Sequence, residues 1–191
     1  EAKTSAFIVK CASTDLMPHA VHLFLEQVHH KLWDGCLFLV NAPHVMQAGP
    51  YRADGKKNSD VLLQFQQLEL DTVSFQEYSD AYPHKMYTLG FAGRPGGPDF
   101  YLNKVDNSEY HGPGGQDWHI LDEEADPCFA EVVAGFDVVD GMFQRDADEK
   151  YMMEPVRIVS ARIVNDRYAE VERRKYQQLK VLYGEEGERY R

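Results

Sequence analysis

The chain has 191 residues, of which 43% are hydrophobic, and a formal net charge of −11. A chain of this length buries one good core, so two independent domains are not expected. The acidic excess argues against nucleic-acid binding, which depends on Lys and Arg neutralising phosphates. No apolar run reaches the roughly 18 residues that a membrane-spanning helix needs. These features predict one acidic, soluble domain that binds no nucleic acid and has no membrane span.

The first residue is Glu1 rather than Met, which indicates a processed or trimmed chain and leaves an organellar or lumenal location open. Three cysteines, Cys11, Cys36 and Cys128, lie in hydrophobic runs without C-x-x-C spacing. Such a thiol behaves as a small buried hydrophobe, so we expect no zinc site. One disulfide with one free thiol is the alternative, and it suits an oxidising compartment.

The first part of the chain combines short apolar runs with one clear helical pattern. Apolar residues recur every three or four positions over Met17–Leu32, as one buried helix face requires. Ser13 and its two successors offer N-cap oxygens just ahead of Pro18, a residue that a first helical turn tolerates. Strands are predicted at Ser5–Ala12, Cys36–Val40 and His44–Ala48.

The next segment is ambiguous. Tyr51–Asp60 is polar, contains Gly55 and predicts an exposed loop. Within Asp60–Leu70, Leu63 and Phe65 stand at strand-like spacing, although VLLQFQQLEL also fits a helix. We expect a strand there and keep the helix as the alternative.

The rest of the chain shows more strands than helices. Glycine and proline predict a loop at Gly93–Pro98, and polar residues predict a surface insertion at Asp106–Asp117. Helices are predicted at Phe136–Phe143 and at Asp166–Tyr183. Strands are predicted at Met86–Ala92, Asp99–Asn103, Cys128–Val133 and Val156–Val164. Many short strands with few helices indicate a β-barrel capped by helices.

Two segments carry a family pattern. Trp33–Gly49, WDGCLFLVNAPHVMQAG, resembles the cyclophilin signature Y-x-G-x-x-F-H-R-x-I-P-x-F-M-x-Q-G-G-D. Thr88–Asn103, TLGFAGRPGGPDFYLN, resembles L-S-M-A-N-x-G-P-x-x-N-x-S-Q-F-F-I of the same peptidyl-prolyl cis/trans isomerases. The segments MPHAVHLFLEQV, CFAEVVAGFDVVDGM and PVRIVSARIV also resemble cyclophilin segments in the same order. The resemblance covers about Ser5–Val164.

The resemblance implies a mainly β fold with helices: a cyclophilin-like closed antiparallel β-barrel capped by helices. It implies a cyclophilin-like domain over residues 1–164. Residues 165–191 are expected to form a C-terminal helical extension. An amphipathic extension of mixed charge is expected to dock on a partner or on its own domain.

The resemblance also implies which groups prolyl isomerisation requires. Rotation about an X-Pro bond has a barrier near ~20 kcal/mol. A cyclophilin lowers it by seating proline in an apolar pocket while an arginine guanidinium hydrogen-bonds near the prolyl nitrogen. Aligning Gln47-Ala48-Gly49 with the family's Q-G-G places Leu39 at the arginine position. Leucine donates no hydrogen bond, so the largest electrostatic contribution to catalysis is missing.

Other positions of the implied peptide groove are also changed. His44 and Val45 replace the pocket phenylalanine and methionine. Asp99 replaces a glutamine, Tyr101 replaces the phenylalanine of the pocket floor, and Gln47 is retained. The candidate groove residues are Leu39, His44, Val45, Gln47, Gly90, Phe91, Asp99, Phe100, Tyr101 and Leu121.

Three of the groove assignments have alternatives. Gln47 either binds peptide or only bonds backbone within the barrel. Tyr101 and Phe91 are either specific ligands or, as we expect, core or groove-wall aromatics. Arg94 of the Gly/Pro loop could replace the lost arginine, although we expect a solvated loop residue. Asp126 falls near the position of a family histidine.

These observations predict a cyclophilin-like protein-binding or scaffold domain with weak or no peptidyl-prolyl isomerase activity. The alternative is a slow isomerase acting on X-Pro bonds of protein substrates. The expected partner is a protein or proline-containing peptide, within a larger assembly. No catalytic residue, metal or cofactor is predicted.

Overall fold

The computed structural model describes residues 5–116, 121 and 123–164. The described fold belongs to one compact unit, Glu1–Ala161. The predicted C-terminal helix, Asp166–Tyr183, lies outside the described residues. Across the residues that were described, no helix is both long and apolar enough to cross a membrane.

Strands outnumber helices in the described part of the chain. The strands are β1 (Ile8–Cys11), β2 (Leu37–Asn41), β3 (Val45–Gly49), β4 (Thr88–Gly93), β5 (Gly96–Asn103), β6 (Cys128–Ala134), β7 (Ala147–Asp148) and β8 (Tyr151–Arg157). The helices are α1 (Pro18–His29), α2 (Ser59–Gln67), α3 (Ser108–His111) and α4 (Phe136–Phe143).

The eight strands form one antiparallel sheet in the order β1-β6-β4-β5-β3-β2-β8-β7. The mainly β fold with helices is therefore confirmed. This order has two ends, β1 and β7, so closure of the sheet into a barrel stays a prediction.

The core joins α1 to one face of the sheet. The ring of Phe24 packs against Phe91, Phe100 and Phe129, with centroids 6.4, 5.7 and 4.8 Å away. Trp33 also contacts Phe100, at 4.6 Å between centroids. Aromatic side chains of this size bury large apolar areas, so this cluster supplies much of the stability of the fold. It also fixes which face of β4 and β5 points inward.

Most of residues 60–70 belong to the helix α2, Ser59–Gln67, so the expected strand is wrong and the helical alternative is confirmed. Asn58 provides the N-cap, because its side chain accepts a hydrogen bond from the Val61 amide. Phe65 is fully buried whereas Leu63 is half exposed. The two apolar side chains therefore do not share one strand face, and the spacing between them was misleading.

The start of α1 differs from the expectation. Met17 occupies the N-cap without a side-chain hydrogen bond, so the predicted cap by Ser13 or its neighbours is wrong. The carboxylate of Glu77 takes that role from a distance in sequence, accepting the amides of His19 and Ala20 at 2.9 and 2.7 Å. A negative charge at a helix N-terminus is favourable, and this one is largely buried. Glu77 thereby ties the segment before β4 to α1.

Replacing Glu77 with Gln is expected to lower the free energy of unfolding by about 1–2 kcal/mol, because the amide keeps one acceptor and loses the charge. Urea denaturation monitored by circular dichroism measures the change. The matched control is Glu154→Gln, whose side chain is 85% exposed and is expected to change stability little. An equal effect of the two variants would contradict the capping role.

Two further boundaries differ from the expectation. The predicted loop Gly93–Pro98 is shorter, because β5 already begins at Gly96. The predicted strand Val156–Val164 overlaps only the end of β8, and Val164 is 69% exposed. Pro155 lies inside β8, and proline within an apolar run argues against a strand. The helix Phe136–Phe143 has the predicted bounds.

Candidate functional site

We call the side of the sheet opposite the core the outer face. Tyr101 of β5 lies on this face, with Gln47 of β3 and Gly90 of β4 as its register partners. Because side chains alternate along a strand, Val45 shares the face with Gln47, and Asp99 shares it with Tyr101. Strand pairing thus brings these five predicted groove residues together.

Two other predicted groove residues belong to the core. Phe91 and Phe100 are register partners across β4 and β5, and both side chains contact Phe24. They are 0% and 4% exposed. The structure therefore places them on the opposite face from Tyr101. The motif alone does not reveal this, because which face a residue occupies is known only once the register is known.

His44 and Leu121 lie at different margins. His44 stands between β2 and β3, with its ring 5.6 Å from that of Tyr110 and 5.7 Å from that of His111. Leu121 is 56% exposed. His44 is therefore packed against other rings, whereas Leu121 contributes no buried wall.

Leu39 occupies a bulge in β2. Phe38 pairs with Ala48 and Val40 with Gln47, so Leu39 is the extra residue beside Gln47. Its side chain is buried and lines an open concavity of about 380 Å³ under residues 53–56 and beside β8. The arginine position of the family thus holds an apolar side chain with no hydrogen-bond donor.

The first polar group on the outer face is the Asp99 cluster: Gln47, Tyr51, Lys57 and Asp99. Asp99 accepts a hydrogen bond from Gln47 Nε2 at 2.8 Å and also bonds to the Tyr51 hydroxyl and the Lys57 ammonium. Burial and the nearby Asp99 carboxylate raise the pKa of Tyr51 above its usual range, so the hydroxyl stays a donor. Gln47 therefore bonds neighbouring side chains, rather than only backbone as one expectation had it.

The second polar group is the Asp126 network: His84, Arg94, Tyr101, His111 and Asp126. Arg94 Nε donates to Asp126 Oδ1 at 2.9 Å, while its other nitrogens donate to the carbonyls of Glu124 and His111 at 3.0 and 3.3 Å. Its side chain is 1% exposed. The expectation of a solvated Arg94 is therefore wrong.

Asp126 is the centre of this network. Its Oδ2 accepts hydrogen bonds from the Tyr101 hydroxyl at 2.8 Å and from His111 Nδ1 at 2.6 Å. Its backbone carbonyl accepts from His84 Nε2 at 2.8 Å. Tyr101 is 2% exposed, so the residue at the pocket-floor position is covered by these partners.

The electrostatics of the network follow from burial and pairing. Burial lowers the pKa of His84 to about 4, which keeps the imidazole neutral near pH 7. Burial alone would raise the pKa of Asp126, but the hydrogen bond and charge of His111 and the bond from Arg94 hold that pKa below its usual value. The network therefore has an ionised carboxylate facing a guanidinium, with neutral His84 beside them.

Gly90 makes room for this network. A Cβ added to Gly90 would lie 2.7 Å from the Tyr101 hydroxyl and 2.9 Å from His84 Cε1. Gly90→Ala is therefore expected to lower the free energy of unfolding by about 1–3 kcal/mol through overpacking. The matched control is Gly141→Ala in α4, where nothing lies within 4 Å and a gain of up to ~1 kcal/mol is expected. Thermal denaturation compares the two, and a neutral Gly90→Ala would contradict the close packing.

Sequence reasoning missed most partners in these two groups. It named Arg94 and Asp126 separately but did not pair them, and it did not consider Tyr51 or Lys57. One signal was present. Arg94 is the only basic residue between Lys85 and Lys104, so the sequence around it does not indicate a charged surface. The contacts join residues up to 52 positions apart, which no local pattern shows.

Among the residues that the structure describes, no set of three or more His, Cys, Asp or Glu side chains could hold a metal ion. Cys11, Cys36 and Cys128 are all free thiols. Burial raises the pKa of Cys36 and Cys128 to about 12, so both thiols are protonated and unreactive near neutral pH.

Comparisons with known proteins agree with this geometry. The solved structures similar to this chain include the Cryptosporidium parvum cyclophilin type peptidyl-prolyl cis-trans isomerase in the presence of the dipeptide ala-pro. That match has a TM-score of 0.59 and 12% identity, and covers 82% of this chain and 92% of that chain. A second structure of the same enzyme matches with a TM-score of 0.58 and 12% identity, covering 82% of this chain and 90% of the other.

No curated protein matches the sequence of this chain. The family model described as "Cyclophilin type peptidyl-prolyl cis-trans isomerase/CLD" matches residues 9–163, which is most of the chain. The chain therefore belongs to the cyclophilin family.

Proposed function

We propose that this chain is a cyclophilin-like protein-binding or scaffold domain with weak or no peptidyl-prolyl isomerase activity. The domain proposed for this role spans residues 1–164, with a sheet that closes as a barrel and with residues 165–191 as a helical extension. The observation that carries the proposal is that the outer face is filled by its own hydrogen-bonded side chains.

The filling of the outer face removes what a peptide needs. Gln47 donates to Asp99 and Tyr51, and Tyr101 donates to Asp126. A peptide would have to displace these bonds, several of which involve charged groups and are therefore stronger than neutral ones. Gln47 and Tyr101 occupy the positions of the family's glutamine and pocket-floor phenylalanine, but both side chains bond to other residues of this chain.

The catalytic donor is not replaced. Leu39 offers no hydrogen bond, and Arg94 has donors engaged by Asp126 and by two carbonyls. Loss of one well-placed donor commonly costs about 10²–10³ in rate. Arg94 therefore supports the fold of the outer face rather than rotation of a prolyl bond.

Exposed apolar side chains support the binding half of the proposal. Phe75 and Met153 are 62% and 71% exposed, and Tyr110 is 51% exposed next to His44. Large aromatic and flexible apolar side chains are the usual anchors of protein interfaces. We therefore expect a partner protein to contact these exposed side chains while the outer face stays filled.

A slow isomerase is the second candidate, and the position of Gln47 beside Tyr101 on the outer face favours it. Exchange NMR on an X-Pro peptide distinguishes the two functions. We expect the wild-type chain to leave the cis/trans exchange rate within about a factor of two of the free peptide at pH 7.5. Acceleration by about 100-fold or more would overturn the proposal.

The variant Leu39→Arg distinguishes two causes of inactivity: a filled outer face and a missing hydrogen-bond donor. We expect no activity from this variant, because a new guanidinium beside Gln47 would be drawn to the Asp99 carboxylate and the Asp126 network would still cover Tyr101. The control is Leu39→Met, which adds no donor. If Leu39→Arg alone becomes active, the outer face is open and only the donor is missing.

A further inference from the structure

We propose that the outer face opens in mild acid, when a proton taken up by His84 releases α3 and uncovers Tyr101 for a proline-containing peptide. This inference rests on the proposed function, since it concerns the same face and describes how its closed state is regulated. The geometry that carries it is a row of three imidazoles in which His111 lies between His44 and His84 and bonds to the Asp126 carboxylate.

The three imidazoles come from three different segments. His111 of α3 bonds to the Asp126 carboxylate, and His84, from the segment before β4, bonds to the Asp126 carbonyl. The ring of His111 lies 5.5 Å from that of His84 and 5.7 Å from that of His44. A proton on His84 therefore places a charge next to the ring of His111.

Among the groups that the structure describes around the network, one carboxylate faces the positive charges. Asp126 already faces the Arg94 guanidinium, so with neutral imidazoles the network has no net charge. The titratable or charged groups facing it, segment by segment, are His44, His84, Arg94, Tyr101, Lys104, Tyr110, His111, Asp126 and Cys128. Among these described groups Asp126 is the one carboxylate, and each added proton leaves an uncompensated positive charge in a buried site.

The burial of His84 determines how strongly pH changes the ratio of the open to the closed state. It is 0% exposed, and burial lowers its pKa in the closed state to about 4. In an open state the ring would reach water and bind a proton near its ordinary pKa of about 6.5. Because the open state binds more protons, the closed state is favoured above about pH 6.5 and loses that preference as pH falls toward 4. From pH 7.5 to 5.0, His84 alone raises the open-to-closed ratio about 30-fold.

His111 joins α3 to the same carboxylate. Its Nδ1 bonds to Asp126, and its ring lies 4.8 Å from that of Tyr101. In the described part of the chain, its buried Nε2 has no hydrogen-bond partner. Opening gives this nitrogen access to water and so removes the cost of an unsatisfied buried polar atom.

Two backbone hydrogen bonds report the opening directly. The Asn107 amide donates to the His84 carbonyl at 2.8 Å, and the Asp126 amide donates to the His111 carbonyl at 3.0 Å. The His111 amide donates to Asn107 at 2.8 Å and holds the turn of α3. Separation of α3 from His84 and Asp126 would expose the first two amides and leave the pairing of β3 with β5 intact.

NMR-detected hydrogen–deuterium exchange of the whole chain at pH 7.5 and 5.0, corrected for intrinsic exchange rates, tests the proposal. We expect the Asn107 and Asp126 amides to be less protected than the β3 and β5 amides at both pH values, and their protection to fall about 30-fold from pH 7.5 to 5.0. Unchanged protection of Asn107 and Asp126 would overturn the proposal. Protection of Asn107 and Asp126 equal to that of β3 and β5 at both pH values would also overturn it, because these amides would then exchange only through global unfolding.

His84→Gln tests the assigned group, because the amide keeps a donor for the Asp126 carbonyl and does not titrate. We expect this variant to lose most of the pH dependence, whereas His22→Gln, on the exposed side of α1, keeps it. If His84→Gln fails to fold, the wild-type exchange data alone still decide the matter. A His84→Gln chain with the full wild-type pH dependence would overturn the assignment.

A binding measurement tests the ligand. An Ala-Pro-containing peptide is expected to shift the resonances of Gln47 and Tyr101 at pH 5.0 and not at pH 7.5. Faster exchange at pH 5.0 without peptide binding would overturn the ligand part of the proposal. Isomerase activity at pH 7.5 would instead contradict the proposed function, and it would be seen independently of the exchange data.

Discussion

Replacing Asp126 with Asn is expected to lower the free energy of unfolding by about 3–5 kcal/mol, the cost of leaving a buried charge without its partner. The substitution keeps the size of the side chain but removes the negative charge that faces Arg94, whose side chain is 1% exposed. It also weakens the bonds from Tyr101 and His111 to Oδ2. Urea denaturation at pH 7.5 measures the change.

Asp106→Asn is the matched control for this effect. Asp106 pairs with Lys85, but both side chains are more than half exposed, so we expect a change below about 1 kcal/mol. A double variant in which Arg94→Met accompanies Asp126→Asn should recover part of the loss, because no buried charge is then left unpaired. A loss below about 1 kcal/mol for Asp126→Asn would contradict the buried network.

Lowering the pH from 7.5 to 4.0 is expected to cost about 3 kcal/mol of unfolding free energy through His84 alone. The pKa of His84 is lowered to about 4 in the folded chain by burial. The unfolded chain therefore binds the proton first, so stability is present above about pH 6.5 and is lost as pH falls toward 4. The lowered pKa values of His44 and Asp126 act in the same direction.

Chemical denaturation at several pH values tests this acid sensitivity. His84→Gln should flatten the profile, since the side chain no longer titrates. His29→Gln, at the exposed end of α1, should leave the profile as it is in the wild-type chain. A wild-type stability that does not change between pH 6.5 and 4.0 would contradict the burial of a neutral imidazole at position 84.

Much of the fold could be predicted because its signals are local. The apolar period of α1 and the glycine before α4 each depend on a few neighbouring residues, and both helices were located. The prediction for residues 60–70 was wrong because a short apolar run fits both the strand period and the helix period. In the helix that forms, Phe65 is the buried side chain. The start of β8 was not predicted because Pro155 interrupts an otherwise acceptable strand pattern.

The candidate site could be located but not built from sequence. The family motif assigned Leu39 and Gln47 to one groove, and the bulge in β2 puts Leu39 beside Gln47. What fills the outer face could not be predicted, because Arg94 and Asp126 meet across 32 positions of sequence. The motif letters also mixed the two faces of β5, assigning Phe100 and Tyr101 to one groove although their side chains point in opposite directions.

The central claim is that the peptide-binding face is filled by the chain's own side chains at neutral pH. Titrating the ¹⁵N-labelled wild-type chain with the dipeptide Ala-Pro at pH 7.5 tests it most directly. The Cryptosporidium parvum cyclophilin whose crystal structure is described as in the presence of that dipeptide serves as the positive control. We predict that the amide resonances of Gln47, Asp99 and Tyr101 do not move. Saturable shifts of these three resonances would contradict the account.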